Sequence, residues 1–220
     1  MTQTFLDALT DEEAADLHAA GRRRSFAAAV TIVHEGDDAG PVVVLLSGRA
    51  KVTTTGSTGR EAIVAVRGPG DLIGELSAVD SGPRSASITT LEPLEALLLP
   101  GSRFAALIEQ RPRIALVILR IVAGRLREAD IGRAELGTSD VVGRVSLRVL
   151  ELADRFGEQR EGRIEVALPM SQEELAAWAG ASREAVSKAL QVLRSLRIVE
   201  TGRRHITVLD LDALRRRAAV

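Results

Sequence analysis

The chain has 220 residues, 45% hydrophobic and 27% charged, with a formal net charge of −1. That length suits one large domain or two small ones, and the apolar content supports packed cores, which excludes a wholly disordered chain. Zero Cys excludes disulfides, thiolate zinc or iron–sulfur sites and Cys nucleophiles, and His18, His34 and His205 lack the i,i+4 pairing of a metal site. The N-terminus shows no basic stretch followed by an apolar one, and no long uncharged run suits a membrane helix. A soluble cytoplasmic protein without a metal is expected.

Charge is unevenly spread. Residues 1–140 carry 15 basic and 19 acidic side chains, residues 141–220 carry 14 and 11, and Ser182–Arg217 carries nine against four. An acidic front and a basic tail point to two modules with different partners.

Thr10-Asp11-Glu12-Glu13 predicts a capping box, with Ala14, Leu17 and Ala20 completing a short helix. From Ser25 to Pro100, short Val/Ile/Leu-rich runs alternate with glycine turns. Strands are expected at Val30–Val33, Val42–Leu46, Ala50–Thr55, Glu61–Val66, Ser85–Thr89 and Leu94–Leu99, with a turn at Gly56–Gly59. Such spacing indicates an antiparallel sandwich or barrel. Arg103–Leu136 reads as helix, Pro112 serving as a first-turn proline. Ile114, Val117, Ile118, Ile121, Val122, Leu126 and Ile131 recur at three- and four-residue steps. Two readings of that stripe stand, packing on its own domain or a parallel partner helix from a second subunit, and the helix's length favours the partner.

Gly137-Thr138-Ser139-Asp140 is expected to interrupt the helix as a hinge, Val141–Phe156 to be helical again, Gly157–Gly162 to form a charged turn and Arg163–Leu168 a strand. Ser171-Gln172-Glu173-Glu174 is a second capping box, opening a helix through Trp178. Gly180 breaks the chain, and Ser182 caps a helix to about Leu196. A short helix, a tight turn and a second helix form the helix-turn-helix pattern. The second helix carries Arg183, Glu184, Ser187, Lys188 and Gln191 near its N-terminus, where recognition helices present base-reading groups. Arg or Lys can donate to guanine, Glu can accept from cytosine, and Ser182 or Ser171 at a helix start suits a phosphate. Ile198–Glu200 and His205–Val208 predict a hairpin wing with Arg203 and Arg204 at its tip, along a DNA backbone.

Asp71-Leu72-Ile73-Gly74-Glu75-Leu76-Ser77 and Gly82-Pro83-Arg84-Ser85-Ala86-Ser87 hold the other candidate chemistry. A carboxylate suits a ribose hydroxyl, and an Arg with a Ser and free amides suits a phosphate. The bland alternative for Glu75 and Arg84 is a surface salt bridge.

With these segments in order, the chain resembles the cyclic AMP receptor protein/FNR family of bacterial transcription regulators. Ile73-Gly74-Glu75-Leu76 and Pro83-Arg84-Ser85-Ala86 resemble its cyclic-nucleotide cassette, and Ser182-Arg183-Glu184-Ala185-Val186-Ser187-Lys188 resembles its DNA-reading helix. The resemblance implies an α+β chain with a jelly-roll-like, cyclic-nucleotide-binding β-roll over residues 1–110. A dimerisation helix over 111–137 and a winged helix-turn-helix over 138–220 would follow. It implies a homodimeric, non-enzymatic regulator controlled by cAMP or a related nucleotide, binding a pseudo-palindromic operator in double-stranded DNA and, as an activator, RNA polymerase. By the same resemblance Glu75 would hold the ribose and Arg84 the phosphate, with Gly74, Leu76, Ser85 and Ala86 shaping the pocket. The family's adenine-binding pair on the long helix falls at Ala129 and Asp130, where Ala offers no hydrogen bond and ionised Asp only acceptors. That departure supports an alternative, a regulator that binds DNA without cAMP. A cyclic-nucleotide-controlled enzyme is a further rival, but residues 137–220 contain no nucleophile–base constellation. Iron–sulfur oxygen sensing and thiolate-ligated haem are excluded with the cysteines.

Overall fold

Continuous apolar runs such as Val42–Leu45 form strands when both faces are covered, and here both are. The structure, a computed structural model, describes residues 3–56, 59 and 61–219, and only the backbone of 133–138. The expected Gly56–Gly59 turn lies partly outside the described residues. The chain divides into two compact units, Gln3–Glu128 and Ala129–Val220.

In the first unit, α1 (Asp11–Ala20) is followed by eight strands. They are β1 (Arg22–Phe26), β2 (Thr31–Val33), β3 (Val42–Ser47), β4 (Ala50–Thr55), β5 (Glu61–Arg67), β6 (Leu72–Ile73), β7 (Ser87–Thr90) and β8 (Leu94–Leu99). A short helix, α2 (Glu75–Asp80), joins β6 to β7. Two antiparallel sheets, ordered β1-β8-β3-β6 and β2-β7-β4-β5, make a β-roll of jelly-roll type. Val43, Leu45, Ile73, Leu94 and Ala96 of one sheet meet Val33, Ala50 and Ile88 of the other in the roll's interior. The opposite face of the first sheet, through Val42, Val44, Leu72, Leu97 and Leu99, packs on Leu17, Phe104, Ile114, Val117 and Ile118. Fully burying one such side chain contributes about 1.5–3 kcal/mol.

Strand β1 is not legible in Arg22-Arg23-Arg24-Ser25-Phe26 because its side chains are mostly exposed and show no apolar alternation. It is an edge strand, paired on one side with β8 from Arg22↔Leu98 to Phe26↔Leu94.

The helix expected over Arg103–Leu136 is two helices, α3 (Gly101–Gln110) and α4 (Pro112–Thr138). Arg111 between them sits at φ −127°, ψ 74°. Proline disfavours helical backbone at the residue before it, so Pro112 starts a new helix instead of lying within one. The apolar stripe of α4 also resolves differently. Ile114, Val117, Ile118, Ile121 and Val122 pack on their own domain. Leu116, Leu119 (63% exposed) and Leu126 (59%) form a second, uncovered row, and Ile131 is exposed too. At about 100° per residue the buried set and the Leu116–Leu119–Leu126 row fall on opposite sides of the helix.

In the second unit, α4 continues through Gly137 and Thr138, so the expected interruption is confined to Ser139 and Asp140. Asp140 caps α5 (Val141–Phe156) by accepting from the Gly143 amide at 2.7 Å. Next come β9 (Glu158–Arg160), β10 (Arg163–Ala167), α6 (Gln172–Ala179), α7 (Arg183–Ser195), β11 (Val199–Gly202), β12 (His205–Val208) and α8 (Leu211–Ala218). The sheet order is β11-β12-β10-β9. The expected charged turn is a hairpin, because Glu161 (φ 48°) and Gly162 (φ 77°) both adopt left-handed backbone. Two such residues in succession reverse a strand tightly. Val145, Val149, Leu152, Leu175, Trp178, Val186, Leu190, Leu193, Ile206 and Leu214 are buried here.

Candidate ligand pocket and nucleic-acid interface

The candidate ligand site is built on a glycine. Gly74 ends β6 in left-handed backbone (φ 80°) and turns the chain into α2. A Cβ there would overlap Nη1 of Arg84, so glycine is required on both backbone and steric grounds. Arg84 is buried, and its guanidinium donates to the Gly74 carbonyl at 3.0 Å, the Ser77 hydroxyl at 2.8 Å and the Pro41 carbonyl at 2.6 Å. Its backbone is held as well. The Arg84 amide donates to Asp37 O at 2.8 Å and its carbonyl accepts from the Gly36 amide at 2.9 Å. Burial lowers the Arg84 pKa from its ordinary value, while the Glu75 and Asp37 carboxylates pull it back up.

Glu75, 4% exposed, is not Arg84's salt-bridge partner. Its Oε1 accepts from Arg125 Nη1 at 2.7 Å, and Arg125 Nη2 donates to the Leu72 carbonyl at 2.7 Å. The α4 helix therefore ties directly into the cassette. Among the predicted residues, the structure brings Gly74, Glu75 and Arg84 together. Leu76 and Ser85 are exposed, and Ala86 is half-buried. Ala129 and Asp130 are exposed on α4 and belong to the other unit. Sequence reasoning misses Ser77 and Arg125. Ser77 is readable as the residue three beyond Gly74 on the same helical turn. Arg125 has no local signal, because fifty residues separate it from Glu75.

Chemically, Arg125 pairs with the Glu75 carboxylate, while the Arg84 guanidinium, among the described residues, hydrogen-bonds neutral acceptors. A buried guanidinium with no carboxylate bonded to it, though Glu75 and Asp37 act on it from a distance, is suited to an anionic guest.

In the second unit, both predicted caps form. Ser171 accepts from the Glu174 amide and Glu174 reciprocates, while Ser182 accepts from the Ala185 amide at 3.2 Å. Gly180, in left-handed backbone, ends α6. Arg183, Glu184, Ser187 and Lys188 lie on α7, whose buried side carries Val186, Ala189, Leu190 and Leu193. The Glu184 carboxyl is held below its ordinary range, chiefly by a hydrogen bond from its own backbone N–H and then by Ser182. In the wing, Arg203 is exposed. Arg204, at φ 58°, turns back, and its guanidinium donates to the Pro169 carbonyl at 2.9 Å. Both arginines at the hairpin tip are exposed, but Arg204 also anchors the wing through Pro169 O, which two adjacent arginines in a sequence cannot reveal.

Comparison with known proteins matches residues 23–111 to the cyclic nucleotide-binding domain and residues 143–217 to the Crp-like helix-turn-helix domain. The chain is 36% identical over 188 residues to a CRP-like cAMP-activated global transcriptional regulator of Mycobacterium tuberculosis, covering 86% of this chain and 84% of that one. It is 34% identical over 181 residues to the cyclic AMP receptor protein of Thermus thermophilus, covering 82% and 81%. The structure of FixK2 from Bradyrhizobium japonicum superposes with a TM-score of 0.80 at 26% identity, covering 91% of this chain and 98% of that one. With the β-roll, its buried cassette and the capped helix-turn-helix in one chain, the protein belongs to the Crp/Fnr family of DNA-binding transcription regulators and is not an enzyme.

Proposed function

We propose that this protein is a homodimeric, cytoplasmic regulator whose grip on DNA is set by a cyclic nucleotide, cAMP foremost, held by Glu75 and Arg84. The observation that carries the reading is the charge arrangement in the pocket. Glu75 is neutralised by Arg125, which leaves the buried guanidinium of Arg84 to meet the single charge of a cyclic phosphodiester. Glu75 Oε2 would serve the ribose hydroxyl, and Gly74, Ser77, Leu76, Ser85 and Ala86 would shape the pocket. Two relatives whose names state cAMP activation or reception support the choice of nucleotide. Binding would shift the population between two dimer geometries.

The uncovered row Leu116–Leu119–Leu126 on α4 supports the dimer, because a parallel partner helix would bury it. Leu119→Asp should then yield monomers in sedimentation, with the β-roll intact since Leu119 lies outside the core. On DNA, two copies of α7 would enter successive major grooves roughly 34–36 Å apart, reading a pseudo-palindrome through Arg183, Glu184, Ser187 and Lys188. Ser171, Ser182, Arg203 and the start of α7 would contact phosphates. Arg204 would act through the wing's shape. As an activator the dimer would also contact RNA polymerase.

Calorimetric titration of cAMP and cGMP, with Arg84→Ala as control, tests the ligand. Heat with neither nucleotide would favour the second reading, a regulator that binds its operator without cAMP and whose pocket is vestigial or serves another effector. The exposed Ala129 and Asp130 favour that reading, since neither supplies a hydroxyl to a purine. A gel shift with Arg183→Ala plus Glu184→Ala tests the reader, and unchanged sequence preference would remove it.

A further inference from the structure

The first helix of the helix-turn-helix, α6, ends on carbonyls that helical geometry leaves without intrahelical partners. Two arginines one turn apart on α5 fill three of them in succession. Arg148 Nε donates to Trp178 O at 3.3 Å, its guanidinium lies over the Trp178 ring at 5.3 Å, and its Nη1 pairs with Glu151 at 3.1 Å. Arg144 Nε donates to Ala179 O at 2.9 Å, and its Nη2 to Gly180 O at 3.3 Å. The remaining arm of Arg144 reaches elsewhere. Its Nη1 donates to Ser139 O at 2.7 Å, the carbonyl of the non-helical step between α4 and α5.

One planar cation therefore grips the α4–α5 junction and the turn after which α7 starts at Ser182. A helix end needs only the first two bonds. The third falls on the carbonyl that follows α4, the end of a different helix, and it makes the position of Ser139 O and the position of the turn mutually dependent. Lysine, a point donor on a flexible stem, can cap a helix end but cannot span three carbonyls in a fixed fork. We propose that Arg144 is the positioning residue that passes backbone changes at Ser139–Asp140 to the N-terminus of the reading helix. The consequence for DNA binding rests on the reading of α7 given above. The coupling itself does not.

The test is amide hydrogen exchange on the full chain, without ligand or DNA. Asp140→Ala removes the cap on the Gly143 amide and so loosens the junction from the far side. In the wild-type background it should speed exchange at residues 182–187 about tenfold. In an Arg144→Lys background the same substitution should leave those amides unmoved, whereas Arg148→Lys, which keeps the Ser139 bond, should preserve the response. An Asp140→Ala effect of equal size with and without Arg144 overturns the proposal, as does an effect lost equally in Arg148→Lys. Emission of Trp178, the only tryptophan, reports whether each variant keeps its fold, and Arg144→Gln replaces Arg144→Lys if it does not. Retention of DNA by the wild type at low salt decides the reader separately, so the two failures are distinguishable.

Discussion

Replacing Gly74 with alanine probes the close approach of Arg84 to the Gly74 backbone. The substitution carries two costs. Holding a non-glycine residue at φ 80° costs roughly 1–2 kcal/mol. The new Cβ would also overlap Arg84 Nη1, so the buried guanidinium must leave the Gly74 carbonyl it now bonds at 3.0 Å. A lost hydrogen bond to a charged group costs roughly 1.5–3 kcal/mol. The expected loss is about 2.5–5 kcal/mol, which at about 2–4 °C per kcal/mol lowers Tm by roughly 5–20 °C. Gly59→Ala is the control. Gly59 has a similar φ of 75°, and a Cβ added there would meet nothing within 4 Å, so it carries the backbone cost alone. Differential scanning calorimetry of both variants isolates the Arg84 contribution, and a cAMP titration should show Gly74→Ala weakened and Gly59→Ala unchanged. Equal Tm values for the two variants, with equal cAMP titrations, would refute the claim that Gly74 is required by Arg84.

Arg125→Met should destabilise the first unit by about 3–5 kcal/mol in urea unfolding, because it strands Glu75 buried and unpaired, and Glu75→Gln in the same chain should restore much of the loss. A loss below about 1 kcal/mol would show that Glu75 finds another partner. The depressed Glu184 pKa fixes a pH sign. A carboxyl held below its ordinary value of about 4.3 keeps its charge as pH falls and loses it only beneath that range. Operator affinity dependent on Glu184 should thus be flat by fluorescence anisotropy from about pH 7 down to about pH 5, and Glu184→Gln should lower it equally across that window. Affinity titrating away within the window in the wild type but not in Glu184→Gln would contradict this. On the wing, Arg203→Ala should reduce the slope of log affinity against log salt by about one, the share of a single phosphate. Arg204→Ala should leave that slope intact and instead loosen the Leu168–Pro169 segment it holds, measured by hydrogen exchange.

Local chemistry makes much of this protein readable from its residues. Capping boxes at Thr10 and Ser171, the Ser182 cap and the Gly180 break all depend on groups within four residues of one another, and all form as spacing predicts. The interior strands are legible because sheet pairing selects β-branched runs. The polar face of α7 is legible for the same local reason, whereas Gly74 and Arg84, ten residues apart, stand out through residue chemistry and the family resemblance. Elements whose apolar pattern is absent or too short to register are not. The arginine-rich edge strand β1, the two-residue β6 and the arginine-rich α8 acquire their structure from neighbours they pair with or pack on.

Partnership over distance is decided only by the tertiary structure. An arginine carries the same five donors wherever it stands, so its sequence neighbours do not say which acceptor it meets. Arg125 takes Glu75 fifty residues away, Arg84 takes three neutral oxygens, and Arg204 takes a carbonyl while Arg203 beside it faces solvent. The apolar residues of α4 behave alike in sequence, yet packing buries one row and leaves another uncovered. Residue type and spacing thus determine which elements form, because those energies are local. Which charges neutralise each other, and which apolar face stays uncovered, depends on what the fold brings within a few ångströms.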